Sequence, residues 1–156
     1  FIRTEADEVQ YNLHVLLRFD LERALVSGDL LVKDLESAWN DRFYQDFGYN
    51  VKSASDGCLQ DVHWSVGLFG YFPTYSLGNV YAGCLYEMLR KSCPQLDNEL
   101  RKGNLTPATS WLQEKLQRHG ALKLPSQTIS DACGFEPSEV PLLTYLQTKF
   151  SEIYDL

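Results

Sequence analysis

Apolar residues recur at three- and four-residue steps through most of this chain. Val9, Leu13, Leu16, Leu17, Leu21 and Leu25 form the first such run and predict an amphipathic helix to about Val26. Thr4 is the expected N-cap, with Asp7 three residues on and Glu5 and Glu8 suiting the positive helix end. Ser27-Gly28-Asp29 ends the run, with Gly28 as the C-cap. A second helix is expected from Val32 to Phe47, with Leu35, Ala38, Trp39, Phe43 and Phe47 on one side and Gly48 closing it. Residues 49–57 are polar and turn-rich, a surface loop.

The periodicity then lapses. Residues 57–83 mix glycines, aromatics, one His and one Asp with little charge, and short strands are allowed for only around 60–75. Beyond Pro73 a mostly buried helix is predicted from Ser76 to Lys91, stopped by Pro94. A short helix follows over Asp97 to Lys102. Thr106 and Pro107 open another in N-cap/N1 fashion, running through Trp111, Leu112 and Leu116 to His119-Gly120. Pro125 to Cys133 is short. Ser138 is placed as the cap of a last helix carrying Leu142, Leu143, Leu146, Phe150 and Tyr154. The expected class is all-α, one helical domain over 1–156.

Composition narrows the partners. With 156 residues, a net charge of −7 and no concentrated basic face, nucleic acid is not the expected ligand. No run of about 18 apolar residues suggests a membrane span, and no signal-peptide pattern is visible. Cys58, Cys84, Cys93 and Cys133 form no CxxC pair and read as reduced thiols in a cytosolic setting. The chain opens on Phe1 rather than Met and runs at once into a helical pattern, so a fragment of a longer protein is expected.

Four places carry candidate chemistry. In Gln60-Asp61-Val62-His63-Trp64 a histidine lies two residues from a carboxylate, which can fix its tautomer and let it stabilise developing negative charge; a core histidine satisfied by a carbonyl is the other reading. In Gly67-Leu68-Phe69-Gly70-Tyr71-Phe72-Pro73-Thr74-Tyr75, Tyr71 and Tyr75 offer phenolic donors, or the stretch is aromatic packing at a tight turn. Arg3 is either a surface ion pair or a bidentate carboxylate anchor. His14 shares a helix face with Asp7 and Gln10 and is expected to pack; His119, at a helix end before Gly120, is expected to meet terminal carbonyls. His14, His63 and His119 do not fall at metal-ligand spacing, and no His-Glu-x-x-His pair exists.

Two strings link these places. Ile2-Arg3-Thr4-Glu5-Ala6-Asp7 and Gly57-Cys58-Leu59-Gln60-Asp61-Val62-His63-Trp64 resemble the I-R-x-x-A-D and G-x-x-Q-D-x-H-W motifs of the carboxypeptidase Taq family of zinc metallocarboxypeptidases. The resemblance runs from residue 2 to the last residues and is weakest over 97–137. It implies the helical C-terminal portion of a gluzincin-type metallopeptidase. Members are soluble, cytoplasmic, generally homodimeric enzymes that remove single residues from peptides with a free C-terminus. Their zinc (or cobalt) sits on a His-Glu-x-x-His helix and a downstream Glu that precede the first motif, so this chain is expected to hold no metal ligand and to be inactive alone. By the same resemblance Arg3 binds the substrate carboxylate, Tyr75 assists it, and His63 stabilises the oxyanion, with Asp61 or Gln60 orienting it. Tyr71 belongs to the same region. Two alternatives accompany this: a non-catalytic helical interaction module derived from the fold, and a piece that reassembles with the missing one.

Overall fold

The structure, a computed structural model, describes residues 1–156. It is built of helices and turns with no strand. The seven helices are α1 (Glu8–Ser27), α2 (Leu35–Phe47), α3 (Pro73–Ser92), α4 (Leu96–Arg101), α5 (Thr106–Lys115), α6 (Pro125–Cys133) and α7 (Val140–Tyr154). The chain separates within α3 into two compact units, Phe1–Leu77 and Gly78–Leu156.

In the first unit, α1 starts one turn later than the pattern suggested. Asp7 is the N-cap, its Oδ1 accepting from the backbone N–H groups of Val9 and Gln10. Thr4 instead lies in a 3₁₀ turn, Arg3–Glu5. A carboxylate is the stronger cap here, because it adds charge at the positive end of a twenty-residue helix. Gly28 and Gly48 end α1 and α2 in the left-handed conformation, as expected of both. The second expected helix divides into a 3₁₀ turn, Val32–Asp34, and α2.

Leu17 and Leu21 of α1 meet Trp39 and Phe43 of α2, with Phe47, Val51, Cys58 and Trp64 packed around them. The apolar stripe of α1 is narrower than its leucines imply, for Val9 and Leu16 stay exposed. The core-facing side instead carries a polar file at four-residue spacing: His14, Arg18 and Glu22, all buried. Gly57 sits in a tight spot, since a Cβ there would stand 3.0 Å from Val51 Cγ1 and 3.4 Å from Trp39 Cδ1.

Residues 60–75 form no strand. A 3₁₀ turn, Trp64–Val66, ends at Gly67 in the left-handed conformation, Gly70 adopts it too, and α3 begins at Pro73. Backbone that turns twice in this span cannot offer an extended edge. Its N–H groups close locally, Leu68 to the His63 carbonyl at 2.9 Å, or reach a side chain of α1.

The second unit packs Cys84 of α3 with Ile129 and Cys133 of α6, and Leu89 with Leu96 and Trp111. Gly83 lets α7 come close. α5 stops at Lys115, with a separate 3₁₀ turn over Gln117–His119, and α7 has Glu139 rather than Ser138 at its N-cap. No helix is long and apolar enough to cross a membrane.

Candidate functional site

The sequence candidates Arg3, Gln60, Asp61, His63, Tyr71 and Tyr75 come together inside the first unit. Arg3 sits in the 3₁₀ turn before α1 and is buried. Its backbone is held by Gln60: the amide oxygen accepts from Arg3 N at 2.9 Å, and Nε2 donates to the Phe1 carbonyl at 3.1 Å and the Asp56 carbonyl at 2.7 Å. Its guanidinium lies 4.9 Å over the Tyr75 ring and 5.6 Å over the Tyr11 ring.

Asp61 is the hub. It accepts from Arg3 Nη2 at 2.9 Å and more loosely from Arg3 Nε, while Arg18 Nε donates to its second oxygen at 2.6 Å. Arg3 is therefore in an ion pair, as the simpler of its two sequence readings held, but a buried one. Burial alone would raise the Asp61 carboxyl; the hydrogen bond from Arg3 and the charge of Arg18 hold it below the usual range instead. Arg18 is fully buried, which brings its guanidinium down to about 10 against the pull of Asp61. Two guanidiniums thus share one carboxylate, and the cluster carries one positive charge in excess. His14 does not add to it: burial, then the charge of Arg18, lower its imidazole to about 4. His14 packs between Phe47 and Arg18, as expected of it.

Donors remain unmatched around this charge. A guanidinium has five N–H protons. Asp61 and the Tyr11 hydroxyl, 2.9 Å from Nη1, engage three of those of Arg3, leaving one on each Nη. Arg18 Nη2 is buried without a hydrogen-bond partner.

His63 is buried, with Nε2 3.0 Å from the Tyr75 hydroxyl and the ring 4.4 Å from Phe72 and 5.6 Å from Tyr71. Its Nδ1 faces Asp61 Oδ1 at 3.8 Å, an electrostatic rather than a hydrogen-bonding approach, and Gln60 makes no bond to it. Burial pushes the Tyr75 phenol up, against the charge of Arg3, so it stays protonated at neutral pH. Tyr71 is 43% exposed and edge-on to Tyr75. The arrangement can present an imidazole, a phenol and a guanidinium fork to one anionic group.

Arg18, Glu22 and Tyr11 were missing from the sequence account. The signal for Arg18 and Glu22 was the polar file His14, Arg18, Glu22 at four-residue spacing beside Leu17 and Leu21, on the face that a core helix would leave apolar.

Comparison with known proteins gives the family. The model of the carboxypeptidase Taq (M32) metallopeptidase family matches residues 1–150. The chain belongs to that family. It is 42% identical to carboxypeptidase 1 of Bacillus subtilis (strain 168) over 154 residues, covering 99% of this chain and 31% of the relative. It is 40% identical to thermostable carboxypeptidase 1 of Thermus thermophilus, covering 98% of this chain and 30% of that one. The M32 carboxypeptidase of Deinococcus radiodurans R1 superposes with a TM-score of 0.96 at 39% identity, covering 99% of this chain and 31% of that structure. This M32 chain thus spans about a third of its relatives' length.

A metallopeptidase needs a metal, and the residues of this M32 chain do not fit one. His14 Nδ1 faces a guanidinium, His63 Nε2 pairs with a phenol, and no three His, Cys, Asp or Glu side chains converge.

Proposed function

We propose that this chain is the C-terminal, substrate-binding portion of a metallocarboxypeptidase that releases single residues from peptide C-termini. The observation that carries the reading is the surplus positive charge. One carboxylate serves two buried guanidiniums, and Arg3 keeps one proton on each Nη beside a protonated phenol. A site short of one negative charge in a dry setting selects an anion, and a planar fork matches a carboxylate. The free C-terminus of a peptide is such a group.

In this reading Arg3 anchors the terminal carboxylate and Tyr75 assists it. His63, held by Phe72 and Tyr75, stabilises charge developing on the scissile carbonyl oxygen. Asp61 keeps both arginines in place and steadies Nδ1 of His63 by charge. Gln60 fixes the Arg3 backbone, and exposed Tyr71 lines the approach. The metal, zinc with cobalt able to replace it, would be held outside these residues, so the chain alone turns nothing over. The same reading makes the parent a cytoplasmic homodimer.

The test is a titration of the isotope-labelled chain with an N-blocked dipeptide and with its C-terminal amide. Shifts at Arg3 and Tyr75 with the free acid alone are expected; equal response to both, or to neither, contradicts the reading. Turnover of the free acid by the chain with added zinc or cobalt would contradict its inactivity.

A further inference from the structure

Glu22 is a buried acid that the proposed chemistry does not use. It is 4% exposed and makes no ion pair. Its polar partners are two neutral donors: Trp64 Nε1 donates to Oε2 at 2.7 Å, and Gly70 N donates to Oε1 at 2.5 Å. A buried acid without a cation is a poor choice for filling space, where leucine or methionine would serve at no desolvation cost. Its use must come from where the two donors sit.

They sit at the two ends of one loop. Trp64 follows His63, and Gly70 precedes Tyr71, Phe72 and Tyr75. Between them the loop closes on its own His63 end: Leu68 N and Val66 N donate to the His63 carbonyl, Gly67 N to the Trp64 carbonyl, and Val66 N and Ser65 Oγ to the Val62 carbonyl. The His63 and Tyr75 sides also touch through the His63–Tyr75 hydrogen bond and through Phe72 against His63 and Trp64, but none of these contacts ties the two ends to α1. Glu22 does, because one rigid carboxylate on α1 receives both. We propose that Glu22 is a positioning residue that sets the His63–Tyr75 pair. It rests on the reading that this pair faces substrate.

The carboxylate is specifically suited, since both oxygens accept. A glutamine would offer one oxygen and turn an NH₂ group toward the other donor, so one end of the loop would lose its partner. Hydrogen bonds to a charged group are among the stronger ones, and their loss corresponds to at least a tenfold change in local opening.

The test uses the ¹⁵N-labelled 156-residue chain at neutral pH, comparing wild type, Glu22→Gln, Tyr75→Phe and Gly83→Ala. The readouts are the imidazole nitrogen shifts of His63 and amide exchange at Gly70. Glu22→Gln is expected to move the His63 nitrogens in the direction that Tyr75→Phe moves them and to speed Gly70 exchange at least tenfold. Gly83→Ala, a destabilising change in the other unit, should leave His63 unmoved. A Glu22→Gln spectrum with wild-type His63 shifts and Gly70 exchange overturns the proposal even if the melting temperature has fallen. Should that variant not fold, Trp64→Phe removes the Trp64 donor only and is read at His63: moved imidazole nitrogens are expected, and wild-type His63 shifts overturn the proposal. Because the readout is the imidazole itself, its failure speaks against Glu22, whereas a peptide that does not bind speaks against the site reading.

Discussion

Replacing Asp61 by Asn strikes the charge cluster at its centre. Asp61 is the only carboxylate between Arg3 and Arg18. Its side chain is 13% exposed, that of Arg18 is 0%, and the Arg18 Nε bond is 2.6 Å long. Asparagine keeps the shape and removes the charge. Two guanidiniums then face each other in a dry pocket, one with an Nη2 already lacking a partner. Removing one member of a buried pair costs about 3–5 kcal/mol, a large share of the roughly 5–15 kcal/mol that holds a domain together. Urea unfolding followed by tryptophan fluorescence reads this directly, because Trp39 and Trp64 pack in the same unit. Arg90–Asp97, an ion pair between half-exposed groups, supplies the control: Asp97→Asn should leave the midpoint unchanged. If Asp61→Asn lost less than about 1 kcal/mol, or tracked Asp97→Asn, the cluster would not be a buried, charge-deficient site.

Stability should also fall with acid through His14. Unfolded, its imidazole takes up a proton near pH 6.5; folded, only near pH 4. The unfolded state thus binds more protons between these values, so stability is full above pH 6.5 and drops by about 3 kcal/mol on the way to pH 4. A pH series of urea midpoints checks it, and His14→Gln should flatten that slope; a flat wild-type slope would contradict the burial of His14. Gly83→Ala should cost about 1–3 kcal/mol in thermal melts, since its Cβ would stand 2.8 Å from the Leu142 backbone. In the intact enzyme, His63→Ala should lower kcat by roughly 10²–10³-fold with little change in KM, measured on a blocked dipeptide; an effect on KM alone would remove His63 from oxyanion stabilisation.

Much of the fold was written in local patterns. The caps at Gly28 and Gly48 and the helix Pro125–Cys133 follow from glycine, proline and period alone. Local rules misplaced the start of α1, where Asp7 and Thr4 competed for the cap and charge decided. They also allowed strands near 60–75, where tertiary bonds to Glu22 hold a turning loop. Arg3 and His63 were singled out by the two motifs, and Tyr75 by the glycine- and aromatic-rich stretch 67–75. Arg18 and Glu22 were not, because a charged residue on a helix is first read as solvated. Their burial follows from partners 43 and 48 residues away in sequence, which no local window contains.

As the proposed anchor for a peptide's terminal carboxylate, Arg3 is open to one decisive measurement, steady-state kinetics of the intact metallocarboxypeptidase carrying Arg3→Ala. A raised KM and a kcat/KM lower by roughly 10²-fold or more are expected. Unchanged kinetics in a folded, metal-loaded Arg3→Ala enzyme would contradict that role.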